Sequence, residues 1–212
     1  MNTVWIWIIG GVLAYLFGSI PFGFVIAKCK GVDIRTVGSG NIGATNVYRS
    51  VGKSWGLLTF LLDFLKGVAG TTLIPWLCLK LGDTGNPQYL KLFCGVMTVL
   101  GHSWTCFLHF KGGKGVATSA GMLVGIVPLA FGIAFGTWLL VLLTLRYMSV
   151  ASCSGAAALA VTVWVLEYPK NHDLVLPIVL TVLAALVIWR HRSNIKRLIA
   201  GTEPHFTFGK GK

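Results

Sequence analysis

Hydrophobic and polar positions fall in blocks along this chain of 212 residues. Apolar runs occupy 3–27, 55–79, 90–110, 115–145, 149–166 and 174–189, separated by short polar joints. A helix crossing a bilayer needs about 20 residues. The run 115–145 is too long for one comfortable crossing and carries Pro128 near its middle. Split there, it yields two short segments, and short or half-length membrane helices often line a site. The pattern predicts an all-α integral membrane protein. It is a bundle of seven transmembrane helices, some short or half-length, forming a single membrane-embedded domain over 1–212. Five longer spans is the competing arrangement. Met1-Asn2-Thr3 offers no basic n-region and no small-residue cleavage site follows, so the first run reads as a retained helix.

Composition agrees: 55% of residues are hydrophobic and 11% charged, against about 25% charged in a soluble domain. The formal net charge of +12 invites a nucleic-acid reading, but its distribution argues against one. The joints at 28–53, 111–114 and 146, with the tail after 189, hold fourteen basic residues against Asp33 and Glu203, which is the whole excess. The other joints balance, and Asp63 cancels Lys66. Parity of crossings and the positive-inside rule put the charged joints in the cytoplasm, with the N-terminus outside and the C-terminus inside. Seven segments satisfy that parity. A single crossing over 115–145 would place Arg146 and the basic tail outside. The five cysteines show no C-x-x-C spacing and lie mostly in apolar runs, as small buried hydrophobes do. No metal-ligating cluster is visible and no cofactor is implied.

Three polar segments share the cytoplasmic face. The first, 35–49, contains Gly38, Gly40 and Gly43 in G-x-G-x-x-G spacing. A membrane helix precedes it, where a dinucleotide fold needs a strand. Gly52-Lys53-Ser54 mimics the end of a Walker A loop, but Val47 stands where its first glycine belongs. What remains is a loop of small residues, hydroxyls and amides (Ser39, Gly40, Asn41, Thr45, Asn46) with Arg49, suited to phosphate oxygens. The second is Gly101-His102 leading into Lys111-Gly112-Gly113-Lys114-Gly115 and Thr118. Lysine charge, glycine N–H groups and a helix starting just after Gly115 point to a small anion. A basic interfacial loop is the plainer reading. His102, about two turns inside the membrane, reads as a hydrogen-bonded packing residue. The third is 191–203, where His191 and Asn194 share a helical face, Ile195, Leu198 and Ile199 dip into the interface, and Lys196 and Arg197 face water. Glu203 reads as a structural partner for a base. Asp63 and Lys66, three apart on one helix, read as a buried neutralising pair; a transport pathway is the sharper alternative.

The segments G-S-G-N-I-G-A-T-N-V-x-R (38–49), G-H…F-K-G-G-K-G-V-A-T (101–118) and H-R-x-N-I-x-R-L…G-x-E (191–203) closely resemble the bacterial acyl-phosphate:glycerol-3-phosphate acyltransferases. G-S-I-P-F-G (18–23) and R-Y-x-S-x-x-S (146–152) extend the resemblance over essentially the whole chain. Thr105 departs from the pattern, which has proline there. The resemblance implies a multi-pass enzyme of the bacterial inner membrane that uses acyl phosphate, glycerol 3-phosphate and membrane lipid. Its product is lysophosphatidic acid, made by acylating the sn-1 hydroxyl in the committed step of phospholipid synthesis. It also implies transient contact with the enzyme supplying acyl phosphate.

By the same resemblance, Ser39, Arg49, Lys114, His191 and Asn194 carry catalysis. Gly40, Asn41, Thr45, Asn46, Lys111, Gly112, Gly113, Thr118 and Ser152 contact substrate. No H-x-x-x-x-D motif and no nucleophile with a neighbouring base is present, so direct transfer without an acyl-enzyme is expected. Ser39, Arg49, His191 and Asn194 would orient glycerol 3-phosphate. Lys114 would bind acyl phosphate, and a substrate phosphate oxygen or His191 would take the proton. A transporter of phosphate esters and a membrane serine hydrolase using Ser39 are the competing classes. The crowding of polar residues at one face disfavours the transporter.

Overall fold

The computed structural model describes residues 2–207, so Lys210 and Lys212, counted above among the cytoplasmic charges, lie outside the described residues. Regular structure among them is helical throughout. The chain groups into two compact units, Met1–Ile126 and Val127–Lys212.

The first unit holds α1 (Thr3–Ser19), α2 (Phe22–Cys29), α3 (Ala44–Ser50), α4 (Lys53–Thr71), α5 (Leu73–Leu79), α6 (Pro87–Ser103) and α7 (Val116–Ile126). The Asn2 side chain caps α1 by accepting from the Val4 N–H, and Pro21 interrupts the first apolar run after Ile20. Asn86 caps α6, with Pro87 in its first turn. The run 90–110 is not one helix. It ends at Trp104 and continues as a 3-10 turn over Cys106–Leu108, followed by left-handed His109 and Phe110. Thr105 supports that turn. Its φ of −66° is the value a proline would impose, while its hydroxyl donates to Ser19 O at 2.6 Å and accepts from the Phe107 N–H. The backbone shape expected of proline is thus kept, and a bond to α1 is added.

Glycines bring the helices together. A Cβ on Gly18 would strike the Thr98 backbone, and one on Gly101 the Tyr15 carbonyl, so α1 and α6 meet backbone to backbone. Gly67 and Gly121 do the same for α4 and α7. Ile6, Ala14, Ile74, Cys78, Leu90 and Cys94 form one core cluster. Ala27, Ile34, Ile42, Val47 and Leu108 form another, which packs the 3-10 turn against the first polar loop. Cys78 and Cys94 are the small buried hydrophobes expected, whereas Cys29 is exposed.

The second unit holds α8 (Pro128–Leu145), α9 (Met148–Leu166), α10 (Tyr168–Asn171), α11 (Val175–Arg190) and α12 (Arg192–Ile199), with α9 packed against both α8 and α11. The break at Pro128 falls where expected, leaving α7 with 11 residues. By length and composition, Thr3–Cys29, Lys53–Leu79, Pro128–Leu145 and Met148–Lys170 can each cross a membrane. A fifth candidate is α11 with α12, bent by 49°. These four or five candidate spans and the short apolar α7 belong to a multi-pass, all-helical membrane protein, in which the remaining expected segment corresponds to the 17-residue α6.

Glycine substitutions should divide by their surroundings. Gly67→Ala drives a methyl group into the Thr118 carbonyl and should lower the melting temperature in detergent, by the equivalent of about 1 kcal/mol or more. Gly136→Ala, with nothing within 4 Å of the added carbon, should hold or raise it by up to about 1 kcal/mol, because alanine favours the helix. Circular dichroism melts of the two variants side by side test this.

Candidate active site

In the first polar loop the organising residue is Asn46, which is 4% exposed. Its amide nitrogen faces the carbonyls of Ile34, Val37 and Asn41 at 2.9–3.2 Å, while its oxygen accepts from the Ser39 N–H at 3.0 Å. Gly38 sits at φ +59°, and a Cβ there would collide with Asn46 Oδ1. The sequence reading placed Asn46 on substrate; the structure commits its amide to shaping the loop. The Asn41 side chain accepts from the Gly43 N–H, closing the turn before α3. Ser39, Gly40 and Arg49 are exposed, and Thr45 is half-buried. The neighbouring Arg35 is taken up by Asp33, at 2.7 Å; its hydrogen bonds hold the Asp33 carboxyl down to about 2.

The second segment departs from expectation in one respect. The Gly112 and Gly113 N–H groups do not face outward. They donate to the Ser103 and His102 carbonyls at 3.2 and 3.1 Å, closing the end of α6. Tyr15 and Ser19 hydroxyls serve the Trp104 and Gly101 carbonyls at the same end. Gly115, at φ +82°, turns the chain into α7, which starts at Val116 as expected. Lys111 is exposed and Lys114 half-buried. Thr118 is fully buried, and its hydroxyl oxygen has no hydrogen-bond partner among the described residues. Behind the loop lies a cluster only partly foreseen. Lys66 Nζ is 2.8 Å from Asp63 Oδ1, the expected pair, and Asp63 Oδ1 is also 3.5 Å from His102 Nδ1. No sequence signal links His102 to a carboxylate 39 positions away.

The third segment belongs to the second unit. His191 and Asn194 are both buried at the junction of α11 and α12. His191 Nδ1 lies 2.8 Å from the Val187 carbonyl. A carbonyl only accepts, so Nδ1 carries the proton and Nε2 of the neutral ring keeps its lone pair. Glu203 accepts from Asn194 Nδ2 at 2.7 Å and from Arg197 Nε at 2.9 Å, so Arg197 is a structural partner and not simply a water-facing charge. Burial pushes the Glu203 carboxyl up, but the Asn194 and Arg197 hydrogen bonds and the Arg197 charge outweigh it, leaving it below the usual glutamate range. The Ser152 hydroxyl donates to the Met148 carbonyl at 2.8 Å, which leaves its oxygen only lone pairs to offer. Farther along the tail, Tyr147 meets His205 at 2.9 Å, and the Phe206 N–H donates to the Arg146 carbonyl.

Comparison with known proteins places this arrangement. The glycerol-3-phosphate acyltransferase family matches residues 8–201. The chain belongs to this family. It is 45% identical over 195 residues to the glycerol-3-phosphate acyltransferase of Aquifex aeolicus, covering 92% of this chain and 96% of that one. It is 50% identical over 193 residues to that of Geobacter metallireducens, covering 91% and 94%. The crystal structure of PlsY, an integral membrane glycerol 3-phosphate acyltransferase, in its glycerol 3-phosphate form, superposes with a TM-score of 0.82 at 42% identity. That match covers 95% of this chain and 96% of PlsY.

Because the Glu203 carboxyl is held below its unfolded value of about 4.3, its contribution is complete above that pH and is lost as pH falls through the folded value. Melting temperature should therefore drop on acidification below about pH 4.3. Glu203→Gln should lower it at pH 7 and flatten that part of the profile. An unchanged acid limb in the variant would assign the pH dependence to another group.

Proposed function

We propose that this chain transfers an acyl group from acyl phosphate to the sn-1 hydroxyl of glycerol 3-phosphate, giving lysophosphatidic acid and inorganic phosphate. The observation that carries the reading is its near full-length likeness to an enzyme crystallised in its glycerol 3-phosphate form. As a family member it is an acyltransferase of phospholipid synthesis embedded in a membrane. Residues 1–212 serve as one membrane-embedded acyltransferase domain. The basic joints face the cytoplasm of a bacterial inner membrane, with the N-terminus outside.

Both substrates carry phosphate, and the polar segments supply complementary groups. Arg49 and Ser39, on a loop held rigid by Asn46, bind the glycerol phosphate, with His191 and Asn194. Lys114 and the first-turn N–H groups of α7, which lack intrahelical acceptors, take the acyl phosphate. Thr118 offers a buried hydroxyl within that first turn. Gly112 and Gly113 act through close backbone packing, since their N–H groups already serve α6.

The sn-1 oxygen attacks the acyl carbonyl carbon, forming the ester C–O bond. The C–O bond to phosphate breaks, and its electron pair leaves with phosphate, stabilised by Lys114. The hydroxyl proton passes to a substrate phosphate oxygen or to His191 Nε2, the ring atom that carries a lone pair in the neutral tautomer. A mixed anhydride already has a good leaving group, so positioning and charge neutralisation supply the acceleration. No acyl-enzyme forms. Transient contact with the acyl-phosphate supplier keeps the labile donor out of water.

Purified protein given labelled glycerol 3-phosphate should form product with acyl phosphate and none with acyl-CoA or acyl carrier protein. Product from a thioester donor would overturn the donor assignment, and uptake into liposomes without acylation would favour transport. Lys114→Ala should lower kcat by about 10²-fold or more in a folded protein. Near-normal turnover removes Lys114 from the role.

A further inference from the structure

At His191 the chain leaves its last apolar run. α11 and α12 meet there at a bend of 49°. The final turn of α11 carries Trp189, which is 51% exposed, and exposed indoles of membrane proteins sit at the headgroup level. α12 therefore starts at the membrane surface and runs at an angle to the span before it.

Helical spacing puts residues 192, 195, 196 and 199 on one face of α12. They are Arg192, Ile195, Lys196 and Ile199, and all four are exposed. The opposite face buries Asn194, and Arg197 beside it is taken up by Glu203. The Arg192 guanidinium lies 4.2 Å over the Trp189 ring. Neither it nor Lys196 has a carboxylate partner among the described residues, whereas Arg35 and Lys170 each lie beside one. A basic joint that merely obeys the positive-inside rule needs no isoleucines, yet Ile199 is 83% exposed. Two isoleucines and two cations on one stripe suit neither bulk water nor hydrocarbon. They suit the layer between, where isoleucine reaches the acyl chains and the long cationic side chains bend back to lipid phosphate.

We propose that the exposed stripe of α12 docks on anionic phospholipid headgroups of the leaflet in which α11 ends. Charge complementarity selects anionic over zwitterionic lipid, at about fivefold for each basic side chain near the surface. The docked helix carries Asn194 on its inner face and begins directly after His191. Lipid held on the outer face thus steadies the backbone that bears both side chains, so the surface charge of the membrane acts on turnover. The docking rests on this geometry alone; its effect on rate rests on the assignment of His191 and Asn194 above.

The test uses the full chain in nanodiscs of phosphatidylcholine alone, or of phosphatidylcholine mixed equally with phosphatidylglycerol. Backbone amides of 195–200 should exchange with deuterium about fivefold more slowly in the anionic discs, and raised salt should erase the difference. Arg192→Gln with Lys196→Gln should abolish it, and Arg192→Lys with Lys196→Arg should keep it, which separates charge from packing on Trp189. Ile199→Ser should speed exchange in both lipids alike, because the apolar contact does not depend on headgroup charge. In acyl-transfer assays the kcat ratio of parent to double Gln variant should be near one in phosphatidylcholine and about threefold in the anionic discs. Repulsion of anionic substrates by the surface acts on both forms equally, so the ratio isolates α12. Equal exchange in the two lipids, or a lipid difference that survives raised salt or the Gln substitutions, would overturn the docking. So would a defect of the Gln variant that appears only when the acyl-phosphate-supplying enzyme is added, which would give the stripe to a protein. A kcat ratio that ignores lipid would overturn the link to turnover. Absence of acyl transfer in every lipid, with the exchange difference intact, would overturn the function proposed above and leave the docking standing.

Discussion

A lysine ammonium buried in the apolar interior of the first unit constrains everything packed around it. An unpaired charge there would be destabilising by several kcal/mol, so Lys66 exists only with its partners in place. Asp63, one turn earlier on α4, supplies the opposite charge. The Ile20 carbonyl supplies the third contact, and it is presented where the first apolar run breaks ahead of Pro21. The far side of the carboxylate faces His102 on α6. The break between α1 and α2, the face of α4 and the last turn of α6 are thus registered against one another by a single ion pair. Apolar packing alone could tolerate a sliding of these helices; a buried ion pair that also bonds the Ile20 carbonyl does not.

The polar segments repeat that logic on a smaller scale. Two are held by a buried polar side chain whose bonding capacity is largely used within its own unit, and one by main-chain bonds. Asn46 gathers three carbonyls and an N–H around the first loop. Glu203 draws Asn194 and Arg197 together. The glycine pair at 112–113 closes the carbonyl end of α6. Groups fixed before a substrate arrives need little reorganisation when it binds.

Much of the fold was legible because membrane helices write themselves as apolar runs with proline and glycine at their breaks. The parting of 115–145 at Pro128 and the start of α7 after Gly115 both followed from local rules, as did the Asp63–Lys66 pair from helical spacing. What stayed hidden depends on tertiary contact. Asn41 and Asn46 look alike in a glycine-rich loop, and only packing decides that one closes a short turn while the other becomes the hub. The approach of His102 to Asp63 joins two helices far apart in sequence. Thr105 looked like a departure from the family pattern. Its φ shows that the backbone still takes the proline-like path, with a hydroxyl bond to Ser19 that no motif could announce.

The lysine seam shows why residue type alone misassigns a loop. Glycines beside lysines invite an anion-binding nest built from exposed N–H groups. Here the N–H groups of Gly112 and Gly113 face the end of α6, so the glycines contribute proximity instead of donors. Gly113 lets the main chain lie directly on the His102 ring, and Gly115 turns it into α7. The charge proposed to meet phosphate then comes from a single flexible side chain, Lys114, and from the α7 N-terminus behind it. A flexible side chain is a weak positioning device unless its backbone is fixed. Here the backbone before Lys114 is tied to α6 by the Gly112 and Gly113 N–H bonds and lies against the His102 ring.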